Sequence, residues 1–223
     1  MLPLPLPKDP NPYRVTSSRL VFDSPWIRLR EDSFLHRCGA AGRYPVCGFH
    51  RTACGVLALD AEDRVVLVGQ WRFPLESYSW EIPEGGGGTD ESPFEAIGRE
   101  LAEEAGLEAR VWEPLLYFNT SNSSTDEETF LFLASGLQEL PGGSTPDHDE
   151  ELATLREPFG QCLSRVLSGE IADSLTVAAL LALQARRTGI AGGLPPELTE
   201  RFFQRPAEHP SPGRARWGKL DGV

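Results

Sequence analysis

Glu100, Glu103 and Glu104 recur at helical spacing, with Arg99 directly before them and Glu91 a little upstream. Three carboxylates this close repel one another unless a positive group lies among them. Oxygen-only ligands on a rigid helix suit a hard divalent cation such as Mg²⁺ or Mn²⁺. Such a cation binds phosphate oxygens as readily as carboxylates. Arg99 stands four residues from Glu103 and within reach of it. The glycines at 85–88 let backbone approach a ligand closely. The competing reading is a solvated, Glu-rich surface helix.

The helix itself carries clear boundary signals. Ser92 is placed as N-cap, Pro93 fits the first helical position, and Glu95 completes a capping box. Gly106 is placed to end the helix in a left-handed conformation. Phe94, Ile97, Leu101 and Ala105 fall at three- and four-residue spacing, which predicts one apolar face turned to a core.

Taken in order, the chain holds alternating segments at 15–35 and 46–52 that predict strands, with a turn at 23–25 and a loop at 39–45. Strong strand patterns follow at 54–59 and 64–71, around a turn at 60–63. After the helix, 109–118, 129–135 and 152–159 read as strands. Residues 119–128 and 141–151 read as polar loops. Residues 159–168 and 174–188 read as helices, the second of them core-packed. Residues 1–12 form a Pro-rich arm. Residues 189–223 form a tail with one helical stretch at 196–203, whose Phe202, Phe203 and Trp217 are odd for solvated chain and favour docking.

A length of 223 residues fits one substantial domain plus extensions. A net charge of −12 argues against general nucleic-acid binding, yet leaves an anionic small substrate open if a cation and a few arginines invert the local field. No apolar run is long enough to span a membrane, and the Pro-interrupted start predicts no signal peptide. Cys38, Cys47, Cys54 and Cys162 fit neither a disulfide framework nor a CxxC site, which predicts free thiols in a cytoplasmic protein.

The full spacing goes further. Gly85, Glu91 and the run Arg99-Glu100-Leu101-Ala102-Glu103-Glu104-Ala105-Gly106-Leu107 resemble the Nudix box at all nine specified positions. Chance coincidence is on the order of 10⁻⁷ per chain. The resemblance implies the Nudix α/β/α sandwich with a mixed sheet, an α/β fold, over residues 53–190. A small antiparallel β segment at 13–52 precedes it, and residues 191–223 follow as the tail. The stretch GQWRFPLESYSWEIPEG is similar to the ADP-ribose and nucleotide-sugar pyrophosphatase branch, with Trp71 in place of a Tyr. That branch implies Mg²⁺-dependent (or Mn²⁺-dependent) hydrolysis of a nucleoside diphosphate sugar, ADP-ribose first. It also implies a homodimer built through the N-terminal segment.

The roles implied follow residue by residue. Glu100 and Glu104 are the first metal ligands and Glu103 the third, with Arg99 orienting them and Glu91 bracing a loop. The backbone carbonyl of Glu84 is placed to ligate, but Glu stands where Ala is usual, so its side chain has no assigned role. Arg72 is the pyrophosphate clamp, Glu81 faces the ligand, and Trp80 stacks on a base or packs in the core. Arg28 and Arg30 are candidate substrate contacts. The acidic run at 147–151 falls where the branch carries its late catalytic loop, with Glu150 as general base and Glu151 second. Alternatives are another Nudix substrate, such as a nucleoside triphosphate, or a silent nucleotide-sensing domain.

Overall fold

The computed structural model describes residues 4–5, 7–145, 151–190, 192–208 and 210–220. In chain order the elements are β1 (Tyr13–Asp23), β2 (Ile27–His36), β3 (Ala41–Phe49), β4 (Thr52–Ala58), β5 (Arg64–Arg72), β6 (Ser77–Glu81) and β7 (Glu84–Gly87). Then come α1 (Pro93–Ala105), β8 (Leu107–Asn119), β9 (Glu128–Glu139), β10 (Ala153–Pro158), α2 (Phe159–Ser168), α3 (Ser174–Arg187), α4 (Pro196–Glu200) and α5 (Pro212–Ala215). The chain divides into two compact units. One comprises Met1–His50, Ser121–Asp126 and Ser211–Val223; the other comprises Arg51–Thr120 and Glu127–Pro210.

The first unit is an antiparallel sheet in the order β1-β2-β3. The loop expected over 39–45 is shorter than predicted, because β3 already starts at Ala41 and runs through Pro45. Pro45 sits opposite Glu31 on an edge strand, where a missing N–H interrupts no ladder. Gly39, at φ +92°, makes the tight turn instead. Arg28, Arg30 and Asp32 alternate along β2 and share one face. Trp217 from the tail covers that face. Its ring lies 4.1 Å from the Arg28 guanidinium and 4.6 Å from that of Arg30. It rests on Gly48, where a Cβ would come within 2.3 Å of the indole, and its Nε1 donates to Asp126 at 2.6 Å. Arg30 is buried and donates to Asp32 at 3.1 Å.

The second unit is built on a mixed sheet, β7-β4-β9-β8, in which β4 and β9 run parallel and the outer pairs antiparallel. Alternation along β4 and β9 sends side chains to two cores. Cys54, Val56, Ala58, Phe130 and Phe132 pack with Ile97 and Leu101 of α1. Leu57 and Leu131 pack on the other side with Leu175, Ala179, Leu180 and Leu183 of α3. This is the expected α/β/α arrangement. A second sheet, β10-β5-β6, contributes Val65 and Leu67 to the α3 side and Val66 to the α1 side.

The tail beyond 190 is more structured than a single helical turn. Phe202 is fully buried in the α1-side core, edge-on to Phe130 and Phe132 at 5.0 Å each. Its carbonyl accepts the Phe94 N–H at 3.0 Å, one of the donors that a helix start leaves unpaired. Phe203 stays half exposed.

Two outcomes test this packing. Phe202→Ala should destabilise the protein by about 3–5 kcal/mol in urea unfolding, the usual range for a buried aromatic. Among the thiols, exposed Cys38 should react readily with a disulfide reagent at pH 8, whereas Cys54 and Cys162 should react only on unfolding. Burial pushes the Cys162 thiol up to about 12, leaving almost no thiolate at that pH.

Candidate active site

The carboxylate helix begins and ends as its sequence dictates. The Ser92 hydroxyl accepts the Glu95 N–H at 3.2 Å, and the Glu95 carboxylate accepts the Ser92 N–H at 2.8 Å. Gly106, at φ +66°, closes the other end. These caps fix the ends of α1; Ile97 and Leu101 pack inward, and Glu100 and Glu104 lie against residues 84–85.

Glu84–Gly87 is strand β7, paired antiparallel with β4. Its glycines are explained by what lies over them. A Cβ on Gly85 would meet the Glu100 carboxyl carbon at 2.3 Å, and one on Gly87 would meet the Ala96 Cβ at 2.8 Å. The missing side chains let α1 lie directly on the strand. Glu104 is buried there and accepts the Glu84 N–H at 3.1 Å.

Arg99 gathers the remaining acids. Its Nη1 donates to Glu100 at 3.0 Å and to Glu103 at 2.8 Å, while its Nε and Nη2 each donate to Glu91 at 3.2 Å. The Glu91 hydrogen bonds raise the Arg99 pKa above its ordinary value. Glu91 thus holds Arg99, where the sequence reading has it bracing a loop.

A second cluster lies on β5, β6 and β7. Arg72 Nε donates to the two Glu81 oxygens at 2.9 and 3.0 Å, and Nη2 bonds Glu81 as well. Nη2 also donates to Glu84 Oε1 at 2.9 Å. Among the described residues, Glu84 Oε2 is buried without a hydrogen-bond partner. Burial, then the nearby Asp173 and Glu81, push the Glu84 carboxyl well above the usual carboxylate range. Arg72, Glu81, Glu84, Glu170, Asp173 and Tyr78 line a cavity of about 510 Å³.

The structure brings Arg99, Glu100, Glu103, Glu104, Glu84, Arg72 and Glu81 together within the second unit. Trp80 packs against the α3-side core, edge-on to Tyr78 at 5.7 Å. Of its two readings, the core one describes what its ring touches. Arg28 and Arg30 belong to the first unit, stacked on Trp217. Glu150 and the rest of 146–150 lie outside the described residues, and Glu151 is exposed ahead of β10. Two contributors were not singled out from sequence. Asp173 lines the cavity and caps α3 by accepting the Thr176 N–H at 2.7 Å. The Thr176 hydroxyl in turn accepts the Ile82 N–H at 2.9 Å, tying α3 to the β6–β7 segment. The Asp-Ser-Leu-Thr spacing at 173–176 was the available signal.

Among the described residues, no three His, Cys, Asp or Glu side chains already converge as a metal cluster. The donor set nevertheless fits a hard divalent cation. It is all oxygen, Glu104 is buried, Glu100 is seated on Gly85, and Glu84 Oε2 is a buried acceptor lacking a donor.

Comparison with known proteins points the same way. A family model described as NUDIX domain matches residues 49–165. The chain is 34% identical over 159 residues to an ADP-ribose pyrophosphatase of Mycobacterium tuberculosis (strain ATCC 25618 / H37Rv), covering 70% of this chain and 75% of that protein. It is 34% identical over 137 residues to an ADP-ribose pyrophosphatase of Bacillus subtilis (strain 168), covering 61% of this chain and 74% of that one. A crystal structure titled as an ADP compounds hydrolase superposes with a TM-score of 0.71 at 20% identity, over 81% of this chain and 98% of the other, a likeness of fold.

Gly85→Ala tests the strand–helix contact. Its Cβ should push Glu100 aside and weaken Mn²⁺ binding by roughly 10–100-fold, the range seen when a ligand's support is disturbed. The unfolding midpoint should move little, because the displaced group is the end of a flexible side chain. Unchanged Mn²⁺ affinity would remove Glu100 from the ligand set.

Proposed function

The chain belongs to the NUDIX domain family, and we propose that it hydrolyses the pyrophosphate bond of a nucleoside diphosphate sugar, with ADP-ribose the first choice. The observation that carries this reading is the Arg99-held carboxylate helix lying on β7, next to the Arg72 cluster that the pyrophosphatase-like stretch places there. The names of the two relatives support ADP-ribose within that class. Water would attack one phosphorus of the anhydride, giving a nucleoside monophosphate and a sugar phosphate.

Nudix hydrolases as a family work with a divalent metal. Here Glu100 and Glu104 are the primary ligands, with Glu103 and Glu84 supplying further oxygens. When bound, Mg²⁺ or Mn²⁺ would neutralise phosphate oxygens and lower the pKa of a water. Arg99 keeps Glu100 and Glu103 from splaying apart. Arg72 and Glu81 form the substrate-side pair, and Trp80 backs that wall through the core. Arg28 and Arg30, in the first unit, are further candidate substrate contacts that rest on the family resemblance. Glu150 is the general base on the acidic loop, with Glu151 second.

The enzyme is further read as a cytoplasmic homodimer acting on a small-molecule nucleotide sugar, with neither nucleic acid nor membrane as partner. Support comes from cysteines that form no disulfide, the net charge of −12, and the exposed Tyr13, Phe22, Trp26 and Tyr44 in the N-terminal unit. Among the described residues no helix is long and apolar enough to cross a membrane.

The deciding assay offers ADP-ribose, ADP-glucose, GDP-mannose, diadenosine polyphosphates and nucleoside triphosphates with Mg²⁺ and with EDTA. Metal-dependent cleavage of the diphosphate sugars alone is expected. Glu104→Gln should lower kcat by on the order of a hundredfold or more, since even outer-sphere changes reach that range. Full activity in that variant would overturn the metal assignment, and cleavage confined to triphosphates would overturn the substrate class.

A further inference from the structure

Residues 194–207 run back across the start of α1. Leu194 packs against the α1-side core, and Phe202 is buried within it. Arg201 donates to the buried Glu128 of β9 at 2.6 Å, an acid that also accepts the Tyr117 hydroxyl at 2.6 Å. This stretch lies after the part of the chain that the family model matches.

From that anchor the chain makes two backbone hydrogen bonds to the head of the carboxylate helix. A helix start leaves N–H donors to be satisfied. Pro93 has none to offer, the Ser92 hydroxyl takes the Glu95 N–H, and the Phe94 N–H goes to the Phe202 carbonyl at 3.0 Å. Further on, the Ala207 N–H donates to the Thr89 carbonyl at 3.2 Å, within the connection from β7 to α1. That connection holds itself weakly. Its own turn bond, from the Glu91 N–H to the Gly88 carbonyl, is 3.4 Å long, beyond the usual range for such a bond.

Glu91 is the residue that this connection delivers. Its carboxylate takes Nε and Nη2 of Arg99, whose Nη1 holds Glu100 and Glu103. A shift of Thr89 therefore moves Glu91 and, through Arg99, the acids of the helix. The two contacts divide the work. Phe202 supplies buried surface, and its loss costs stability. Ala207 is exposed and supplies one backbone bond at the point that fixes the connection. Arg205, 3.9 Å from the Glu95 carboxylate with both side chains half exposed, adds little.

We propose that residues 194–207 form a strap that positions the carboxylate helix for metal binding. Ala207 is its positioning residue: the Ala207 N–H fixes Thr89 and so sets Glu91 against Arg99. The inference rests on the divalent-metal hydrolase reading and adds to it a residue that acts through Glu91 rather than on the substrate.

The test removes one donor. Ala207→Pro deletes the N–H and Ala207→Gly keeps it. Two glycines inserted between Gln204 and Arg205 slacken the strap without replacing any residue in it. Each is made in the full chain and measured for Mn²⁺ affinity, for kcat and KM with ADP-ribose and Mg²⁺, and for the urea midpoint. Ala207→Pro and the insertion should each weaken Mn²⁺ binding and lower kcat by roughly tenfold, the low end of what disturbing a ligand's supports costs, with KM and the midpoint nearly unmoved. Ala207→Gly should match wild type. In a Glu91→Ala background, Ala207→Pro should cost less than about twofold more, because residues acting through one network are not additive. Unchanged Mn²⁺ affinity in both Ala207→Pro and the insertion overturns the proposal. A full loss that persists in the Glu91→Ala background also overturns it, since Ala207 would then act by another route. If Ala207→Pro does not fold, the insertion decides. If no nucleotide is cleaved, the hydrolase reading fails, and the Mn²⁺ arm still decides the strap.

Discussion

The distance between α1 and β7 is the dimension on which the carboxylate site depends. A helix normally rests on a sheet through side chains on both surfaces. Here the sheet contributes none at the point of contact, because any Cβ on Gly85 or Gly87 would strike the helix. The carboxylates of Glu100 and Glu104 are consequently held against the backbone of a strand rather than against a layer of side chains. That contact supplies Glu104 with the Glu84 N–H, a donor in a fixed direction. The capping box and Gly106 fix where that helix begins and ends, and the packing of Ile97 and Leu101 fixes which way it faces.

Such a concentration of negative charge needs local management. Two unit charges 4 Å apart interact by about 4 kcal/mol at an effective dielectric constant near 20. Two arginines divide the task. Arg99 serves Glu91, Glu100 and Glu103 on the helix, and Arg72 serves Glu81 and Glu84 beside the cavity. Neither cluster is neutralised by its own arginine, since acids outnumber guanidiniums in both. The surplus is what suits the helix to a cation.

How far this was legible in the sequence depended on the range of the signals. The limits of α1 follow from residues within four positions of one another, and they were readable. The alternation of β4 and β9 was equally local, and with the box it indicated the layered fold. Strand β7 was not readable as a strand, because its three glycines carry no β preference and their reason for being there is the helix that follows. Pro45 suggested a loop because an edge position cannot be told from a central one before the sheet order is known. The hold of Glu84 on Arg72 joins residues twelve apart in sequence, and no local pattern announces it. Phe202 and Trp217 stood out as misplaced apolar residues in the tail, but their partners lie far away in sequence.

Trp217 has a consequence for how the molecule is made. The first unit draws its strands from the beginning of the chain and the indole over Arg28 and Arg30 from a segment beyond residue 210. A ribosome releases those arginines long before it releases the ring that stacks on them. Until that segment is made, β2 presents two bare guanidiniums, and the second unit likewise waits for Phe202 to complete its core. The earliest-made part of the protein is therefore the last to close, and a message cut short before Trp217 yields a chain whose N-terminal sheet never receives its cover.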